Sequence, residues 1–302
     1  MKKNELIDPL GNRITSLRIS ITNQCNLNCI YCHHEGNPKA TEEMTVETIS
    51  NVIHAAYKLG VRKIKFSGGE PLIRKDFEDI LYSLPKMDDV SATTNGILLE
   101  KRAHSLKDAG LDRINISIDS LNPETYKYIT QTRKSMLSHV FDGITSAIDA
   151  NLTPIKLNMV LLNGINIDEF EDMLDFAKDY KKNVILQVIE FVDVKNFPKY
   201  RIDANAFEKS LKMRSKKSWT RTMHHRKKYI IDDVEVEFVR PMNNSKFCAN
   251  CNRLRVTADG KLKPCLLVND NLIKISDDVP LNINEKLKLA VRTRVPYCKP
   301  LD

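Results

Sequence analysis

The sequence has no apolar run long enough to cross a membrane, and it shows no internal repeat or low-complexity tract. Its first residues, MKKNELIDPLGNR, carry two lysines but lack the apolar stretch that a secretory signal needs. These absences make a globular protein of the cytoplasm the default expectation. Because thiols stay reduced in that compartment, disulfide bonds are not expected, and the seven cysteines require a different explanation.

Six of the cysteines form two groups of three. The groups are Cys25, Cys29 and Cys32, spaced C-x3-C-x2-C, and Cys248, Cys251 and Cys265, spaced C-x2-C-x13-C. Only Cys298 lies outside both groups. Cysteines grouped in this way in a reducing compartment indicate metal binding or catalysis rather than structural cross-links.

Basic residues outnumber acidic residues by 47 to 39, which gives a net charge of +8. This excess fits a polyanionic substrate, such as a nucleoside triphosphate or RNA. It fits equally well the lysine- and glutamate-rich surface of many solvated or heat-stable proteins. Charge alone leaves both interpretations open until specific basic residues are assigned to a site.

Strand and helix signals alternate through the first two thirds of the chain. The segment 16–22 alternates and is rich in β-branched residues, and 45–60 carries apolar residues at helical spacing. Six such units predict the α/β class, with a parallel sheet curved into a partial TIM barrel, (β/α)6. Loop-type motifs follow the strands, where such folds place active sites: CNLNC, GGE, TTNG, SIDS and EFVDV.

The pattern changes near residue 200. VEVEFVRP alternates like an antiparallel strand, and Asp259-Gly260 is a hairpin signal. We therefore expect a barrel domain over residues 1–200 and a smaller second domain over residues 201–302.

Three thiols close together suit a [4Fe–4S] cube, in which each iron takes one outside ligand. Three cysteines leave one iron open to bind something else. Zinc is the alternative for the first group, with His33 or His34 completing the set, but the spacing favours iron and sulfur. For the second group the spacing alone slightly favours zinc, with Cys298 or a histidine as fourth ligand.

The first cysteine group, with Tyr31 before its last member, resembles the radical S-adenosylmethionine (SAM) superfamily. The segment Gly68–Pro71, GGEP, matches that superfamily's GGE motif. The resemblance implies that the open iron chelates the amino and carboxylate groups of SAM, and that an electron from the cluster cleaves SAM to a 5′-deoxyadenosyl radical.

A longer series of motifs resembles the GTP 3′,8-cyclases, the molybdenum cofactor biosynthesis protein A family. The motifs are LRISITNQCNLNCIYC, KIKFSGGEPLIRKDF, TTNG, RINISIDS, IEFVDV and CNRLRV, and they extend to about residue 268. The resemblance implies two [4Fe–4S] clusters and SAM as cofactors, the second cluster in the C-terminal domain binding the purine of GTP. The implied reaction joins C3′ of the ribose to C8 of guanine and gives (8S)-3′,8-cyclo-7,8-dihydroguanosine 5′-triphosphate.

The same resemblance implies partners and site residues. The partners are an electron donor and, as product acceptor, the cyclic pyranopterin monophosphate synthase. Binding to nucleic acid or to a membrane is not expected. The expected oligomeric state is a monomer or a homodimer. The implied SAM-binding residues are Tyr31, Gly69, Ser117 and Val192. The implied GTP-binding residues are Arg18, Lys65, Thr93, Lys156, Arg253, Leu254 and Arg255. No side chain receives a catalytic role, because the clusters and SAM carry the radical chemistry.

Three positions depart from the family pattern. Lys65 stands where the family usually has arginine, and Val192 stands where it often has methionine. The chain ends Cys298-Lys299-Pro300-Leu301-Asp302, where many members have a Gly-Gly tail that reaches the active site.

Two other functions remain in view. One is a different radical SAM enzyme with an auxiliary cluster, acting on RNA or a peptide; the basic stretch 214–228, which contains Trp219, would suit RNA. The other is a binding module stabilised by zinc.

Overall fold

The computed structural model describes residues 5–36, 42–275 and 280–298. The strands are β1 Ser16–Ser20, β2 Lys63–Ser67, β3 Asp89–Thr94, β4 Arg113–Ser117, β5 Ile155–Leu161, β6 Val184–Glu190, β7 Lys217–Thr220, β8 Lys227–Ile231, β9 Val234–Val239, β10 Arg253–Val256, β11 Lys261–Lys263 and β12 Ile273–Lys274. The α-helices are α1 Val46–Lys58, α2 Phe77–Tyr82, α3 Ala103–Asp108, α4 Pro123–Thr130, α5 Leu137–Asp149, α6 Phe170–Asp179, α7 Ala204–Arg214, α8 Ser245–Ala249 and α9 Pro280–Arg292.

The first six strands lie side by side in chain order, and every neighbouring pair is parallel. Helices connect them, as right-handed crossovers between parallel strands require. The predicted α/β partial barrel is therefore confirmed. Helix α1 shows how the local sequence sets one such unit: the Thr45 hydroxyl accepts a hydrogen bond from the backbone N–H of Thr48 at its start, and Gly60, at φ +94°, follows its end.

The strands after residue 200 extend this sheet at both edges. β9 pairs with β6 in parallel and with β8 antiparallel, while β10 pairs with β1 in parallel and with β11 antiparallel. The expected hairpin at Asp259-Gly260 forms between β10 and β11, with Gly260 at φ +74°. The C-terminal segment thus continues a twelve-stranded sheet, and the division into 1–200 and 201–302 remains a prediction.

Alternation along the strands separates two environments. Leu17, Ile19, Ile64 and Phe66 are fully buried in the hydrophobic core, which the helices cover. Each such side chain contributes about 1.5–3 kcal/mol of burial free energy. The residues between them on the same strands are polar and face the inside of the barrel, so the fold reserves its inner face for chemistry.

None of the helices in the described part of the chain is long and apolar enough to span a membrane.

Candidate active site

A cavity of about 740 Å³ occupies the inside of the partial barrel. All six cysteines of the two triads line it, although more than 200 residues separate the triads in sequence. The predicted site residues that also line it are Arg18, Tyr31, Lys65, Gly69, Thr93, Ser117, Lys156, Val192, Arg253 and Arg255. Leu254 is the exception: its side chain is buried in the core, because β10 alternates, so only its backbone is available to a ligand.

The first cysteine triad lies in the loop after β1, and the GGE motif after β2 supports that loop. The backbone N–H groups of Gly69 and Glu70 donate to the carbonyls of Thr22 and Gln24 at 2.9 and 2.7 Å. A Cβ atom at Gly69 would lie 2.1 Å from the Gln24 carbonyl oxygen. Only glycine therefore allows the two loops to approach this closely.

Two buried carboxylates tie the strand-end loops together. Glu70 accepts hydrogen bonds from the Thr94 hydroxyl and the Asn95 backbone N–H, both at 2.7 Å. Asp119 accepts from the Tyr31 hydroxyl at 2.6 Å. Burial raises the pKa of each carboxyl to about 6, against the opposing effect of these hydrogen bonds. The motifs predict Tyr31 as a SAM-binding residue, but none of them points to Asp119, the residue that orients its hydroxyl.

The thiols of the first triad are held in a desolvated environment. Burial raises the pKa values of Cys25, Cys29 and Cys32. Thiolates are the donors that iron–sulfur clusters require, and the positive charge of the irons would offset the lost hydration. The donor set therefore fits a cluster.

The second triad comes from α8, the turn after it and the segment after β11. Burial raises the pKa of Cys248 to about 11, and Cys298 lies close enough to influence that pKa. The cysteine outside both triads therefore lies beside this group. Across the described ranges no set of three His, Cys, Asp or Glu side chains converges on one metal ion; a cube instead takes each thiolate on a separate iron.

A row of cations crosses the inner face of the sheet. Parallel pairing places Arg18 of β1 in register with Arg255 of β10 on one side and with Lys65 of β2 on the other. Glu35 joins two of them: it accepts hydrogen bonds from the guanidinium groups of Arg18 and Arg255, the latter at 3.0 Å. Burial alone would raise the pKa of Glu35, but the two arginines outweigh it and lower the pKa to about 2.

Lys65 and Arg253, like the more exposed Lys63, line the cavity without a carboxylate partner in the described structure. Arg253 directs Nη2 at the sulfur of Met223 at 3.8 Å, and its buried Nε has no hydrogen-bond partner within the same ranges. Burial lowers the pKa of Lys65, and neighbouring arginines lower it further. Two basic side chains that face a cavity without a carboxylate partner create a site for an anion, whose charge would favour their protonated forms.

A second charged cluster surrounds Glu237 of β9, which is completely buried. The Glu237 carboxylate binds the ammonium group of Lys156 and, at 3.0 Å each, the Nη1 atoms of Arg221 and Arg226. Gln187 accepts from Lys156 at 3.3 Å. Burial opposes ionisation, but Arg226, Lys156 and Arg221 together lower the pKa of Glu237 below its usual range. Of these residues, the sequence predicts only Lys156. The alternation in β9 is typical of an antiparallel strand with one solvent-exposed face, whereas β9 pairs with a neighbour on both sides and is interior to the sheet.

Family models match nearly all of the chain. Residues 19–177 match the radical SAM superfamily, and residues 184–297 match the model described as Molybdenum Cofactor Synthesis C. A probable GTP 3′,8-cyclase of Methanosarcina mazei is 58% identical, over 98% of this chain and 91% of that protein. A probable GTP 3′,8-cyclase of Archaeoglobus fulgidus is 43% identical, over 97% of this chain and 99% of its own.

Solved structures with lower identity share the fold. The structure of Streptococcus suis SuiB bound to the precursor peptide SuiA has a TM-score of 0.64 at 14% identity, over 94% of this chain and 68% of that one. Native anSMEcpe with bound AdoMet has a TM-score of 0.58 at 18% identity, over 90% of this chain and 82% of that one. From the two domain models and the length and identity of the matches to its relatives, the chain belongs to the radical SAM superfamily and, within it, to the family of the GTP 3′,8-cyclases.

Proposed function

We propose that this protein is a radical SAM GTP 3′,8-cyclase, which converts GTP to (8S)-3′,8-cyclo-7,8-dihydroguanosine 5′-triphosphate in the first step of molybdenum cofactor biosynthesis. The observation that carries the proposal is the meeting, in one cavity, of two cysteine triads and a set of basic residues that outnumbers its carboxylate partners. Its volume is in the range of small-molecule sites. The names of its close relatives support the same activity.

Each triad would hold one [4Fe–4S] cluster, and when bound the first cluster and SAM supply the radical that the reaction needs. The residues of the chain would bind and orient SAM and GTP, and they would exclude water from the cavity. Tyr31, Gly69, Ser117 and Val192 would form the SAM side of the cavity. The Asp119 carboxylate fixes the Tyr31 hydroxyl, and the close fit of Gly69 against Gln24 fixes the cysteine loop.

The cations would bind the triphosphate. Five of the predicted GTP-binding residues are basic and line the cavity: Arg18, Lys65, Lys156, Arg253 and Arg255. Of these, Lys65 and Arg253 form no salt bridge with a carboxylate in the described structure. Charge-assisted hydrogen bonds from arginine to phosphate are among the strongest that proteins form. Thr93, at the end of β3, would contact the nucleoside.

Cysteine variants test the division of labour between the triads. Under anaerobic conditions with GTP, SAM and a reductant, the purified enzyme should form the cyclised triphosphate and 5′-deoxyadenosine. Cys25→Ala should abolish SAM cleavage, whereas Cys265→Ala should abolish the cyclised product and retain some SAM cleavage. Full cyclase activity in both variants would refute the two-cluster assignment.

Metal analysis decides between iron and zinc at the second triad. We expect about eight irons per chain from two cubes. Cys298→Ala should leave that number unchanged, because three cysteines suffice for a cube with an open iron. Zinc together with about four irons, and loss of the zinc in Cys298→Ala, would instead assign Cys248, Cys251, Cys265 and Cys298 to a zinc site.

Six of the seven lysines and arginines in the stretch 214–228 pair with carboxylates, which weakens the RNA alternative. Four of these basic residues are neutralised by carboxylates: Arg214 by Glu171, Lys216 by Asp233, Lys227 by Glu208 and Lys228 by Glu235. Arg221 and Arg226 bind Glu237 inside the barrel. An electron donor, transfer of the product to cyclic pyranopterin monophosphate synthase, a monomeric or homodimeric state and a cytoplasmic location complete the proposal.

A further inference from the structure

We propose that Arg226, in the loop between β7 and β8, is a further phosphate-binding residue of the substrate site, and that Glu237 positions it. Neither residue follows from the motifs that identify the family. The identity of the anion as the triphosphate of GTP rests on the proposed function; the anion site itself rests on the geometry below.

The guanidinium group of Arg226 lies in the wall of the cavity and keeps N–H donors that no protein group accepts from in the described structure. Its side chain is only 10% exposed, and it lines the cavity. Nη1 forms an ion pair with a Glu237 carboxylate oxygen at 3.0 Å and donates a hydrogen bond to Gln187 at 3.4 Å. Nε is buried and has no hydrogen-bond partner in the described part of the chain. A guanidinium group carries five N–H donors, and the contacts to Glu237 and Gln187 involve Nη1 alone, so the two donors of Nη2 remain for a ligand.

The loop that carries Arg226 is fixed to the second cysteine group. The backbone N–H of His224 donates to the Asn250 carbonyl at 2.7 Å, and the His224 ring stacks on Phe247 with centroids 4.0 Å apart. Phe247 lies in α8, the helix that also carries Cys248. The backbone N–H of Arg221 donates to the Arg226 carbonyl at 2.8 Å and closes the loop. Arg226 is therefore positioned before any ligand arrives, which lowers the entropy lost on binding.

Glu237 does not neutralise the charge that surrounds it. One carboxylate faces three basic side chains, Lys156, Arg221 and Arg226. Burial lowers the pKa of Lys156 to about 7, so the cluster keeps an excess of one to two positive charges near neutral pH. Burying such an excess is unfavourable unless an anion completes it. Glu237 instead gives the three cations a common anchor, so that their remaining donors converge on one region of the cavity.

Phosphate oxygens are the ligand that this arrangement fits. The planar donor fork of arginine binds phosphate through two parallel hydrogen bonds, which lysine cannot reproduce. Lys156 shares the carboxylate with Arg226, so one phosphate chain can contact both.

Binding measurements on the anaerobic holoenzyme test this inference. The probes are GTP, inorganic tripolyphosphate and guanosine, and the variants are Arg226→Ala and Arg226→Lys. The matched control is Arg240→Ala: Arg240 also pairs with a glutamate, the partly buried Glu208, and also has a buried Nε without a partner in the described structure, but it does not line the cavity.

We expect Arg226→Ala to weaken the binding of GTP and of tripolyphosphate about 10- to 100-fold, in line with the loss of charge-assisted hydrogen bonds. Arg226→Lys should weaken both about three- to tenfold, since the charge stays but the fork is lost. Guanosine should bind all variants alike, and Arg240→Ala should match the wild type with every probe.

Equal affinity of Arg226→Ala and wild type for both phosphate probes would overturn the inference. If the alanine variant does not fold, as judged by its unfolding curve without nucleotide, unchanged affinity in Arg226→Lys overturns it instead. If the wild type binds tripolyphosphate but not GTP, the proposed function fails, and the effect of Arg226→Ala on tripolyphosphate still decides the anion site. Binding of neither probe would refute both.

Discussion

At the scale of single residues, Glu35 offsets part of the positive charge of the cation row. It lies three residues after Cys32 and binds Arg18 and Arg255, which the family resemblance assigns to GTP. The carboxylate keeps the two guanidinium groups at a fixed separation before the nucleotide binds. It also links the loop of the first cysteine group to β10, which follows the second group directly.

This pairing predicts a pH dependence of stability. The pKa of Glu35 is about 2 in the folded protein, against an ordinary value of 4.5. A depressed carboxyl pKa stabilises the fold above pH 4.5, and that stability is lost as the pH falls toward 2. Between pH 7 and pH 3 the wild type should lose about 2 kcal/mol more unfolding free energy than Glu35→Gln.

Urea unfolding of the iron-free proteins measures this difference, since acid also displaces metals from thiolates. Glu47→Gln, at an exposed position on α1, is the control and should follow the wild type at every pH. Parallel curves for wild type and Glu35→Gln would show that Glu35 is not held by the two arginines in solution.

At the scale of elements, the contact between the GGE turn and the cysteine loop is the tightest steric constraint on the first cluster. A methyl group at Gly69 would lie 2.1 Å from the Gln24 carbonyl oxygen and 2.9 Å from that of Asn23, so one of the loops must move. Gly69→Ala should therefore lower the iron content from about eight to about four atoms per chain and abolish SAM cleavage.

Gly110→Ala is the matched control for that substitution. Gly110 has φ +106° but no atom within 4 Å of a Cβ, so alanine there strains the backbone without displacing a neighbour. It should cost about 1 kcal/mol of stability and leave the iron content unchanged. Full iron content in Gly69→Ala would show that the loops tolerate separation.

The elements also show where sequence patterns suffice. The six parallel strands and α1 follow from alternation, helical spacing and the Thr45 cap, and all are present. The apolar spacing does not predict helix α4, although Asn122-Pro123 is a helix-start signal. In the structure the Asn122 side chain accepts two backbone hydrogen bonds at the start of this helix. The sequence of β9 and β10 does not show that each pairs in parallel with a strand from before residue 200, so the extension of one sheet through both parts of the chain required the structure.

At the scale of the whole molecule, motifs predicted the residues that ligands would touch, whereas the residues that position them required the structure. Arg18, Lys65 and Arg253 lie in recognisable segments. Glu237 and Arg226 are distant in sequence from Lys156, and only the pairing of β6 with β9 brings them together. A sequence pattern predicts which residue types lie close together along the chain. It does not predict which buried carboxylate pairs with a given basic side chain in the folded protein.

The sheet order gives a final prediction. Arg255 lies on β10 and Lys156 on β5, at opposite ends of a run of six neighbouring strands that surrounds the cavity. A nucleotide that contacts both should restrain the barrel as a unit. At 100 times its Kd, GTP should add about 2.7 kcal/mol of unfolding free energy. Amide hydrogen exchange should slow in both β5 and β10.

Inorganic tripolyphosphate is the matched ligand control, since it has the phosphates without the nucleoside. Because the second cysteine group is expected to hold the guanine, tripolyphosphate should slow exchange in β5, near Lys156 and the Glu237 cluster, more than in the segment 248–252. GTP should protect both regions. Protection by GTP that is confined to the C-terminal segment would mean that the nucleotide does not span the cavity, and Lys156 would then have to be removed from the substrate site.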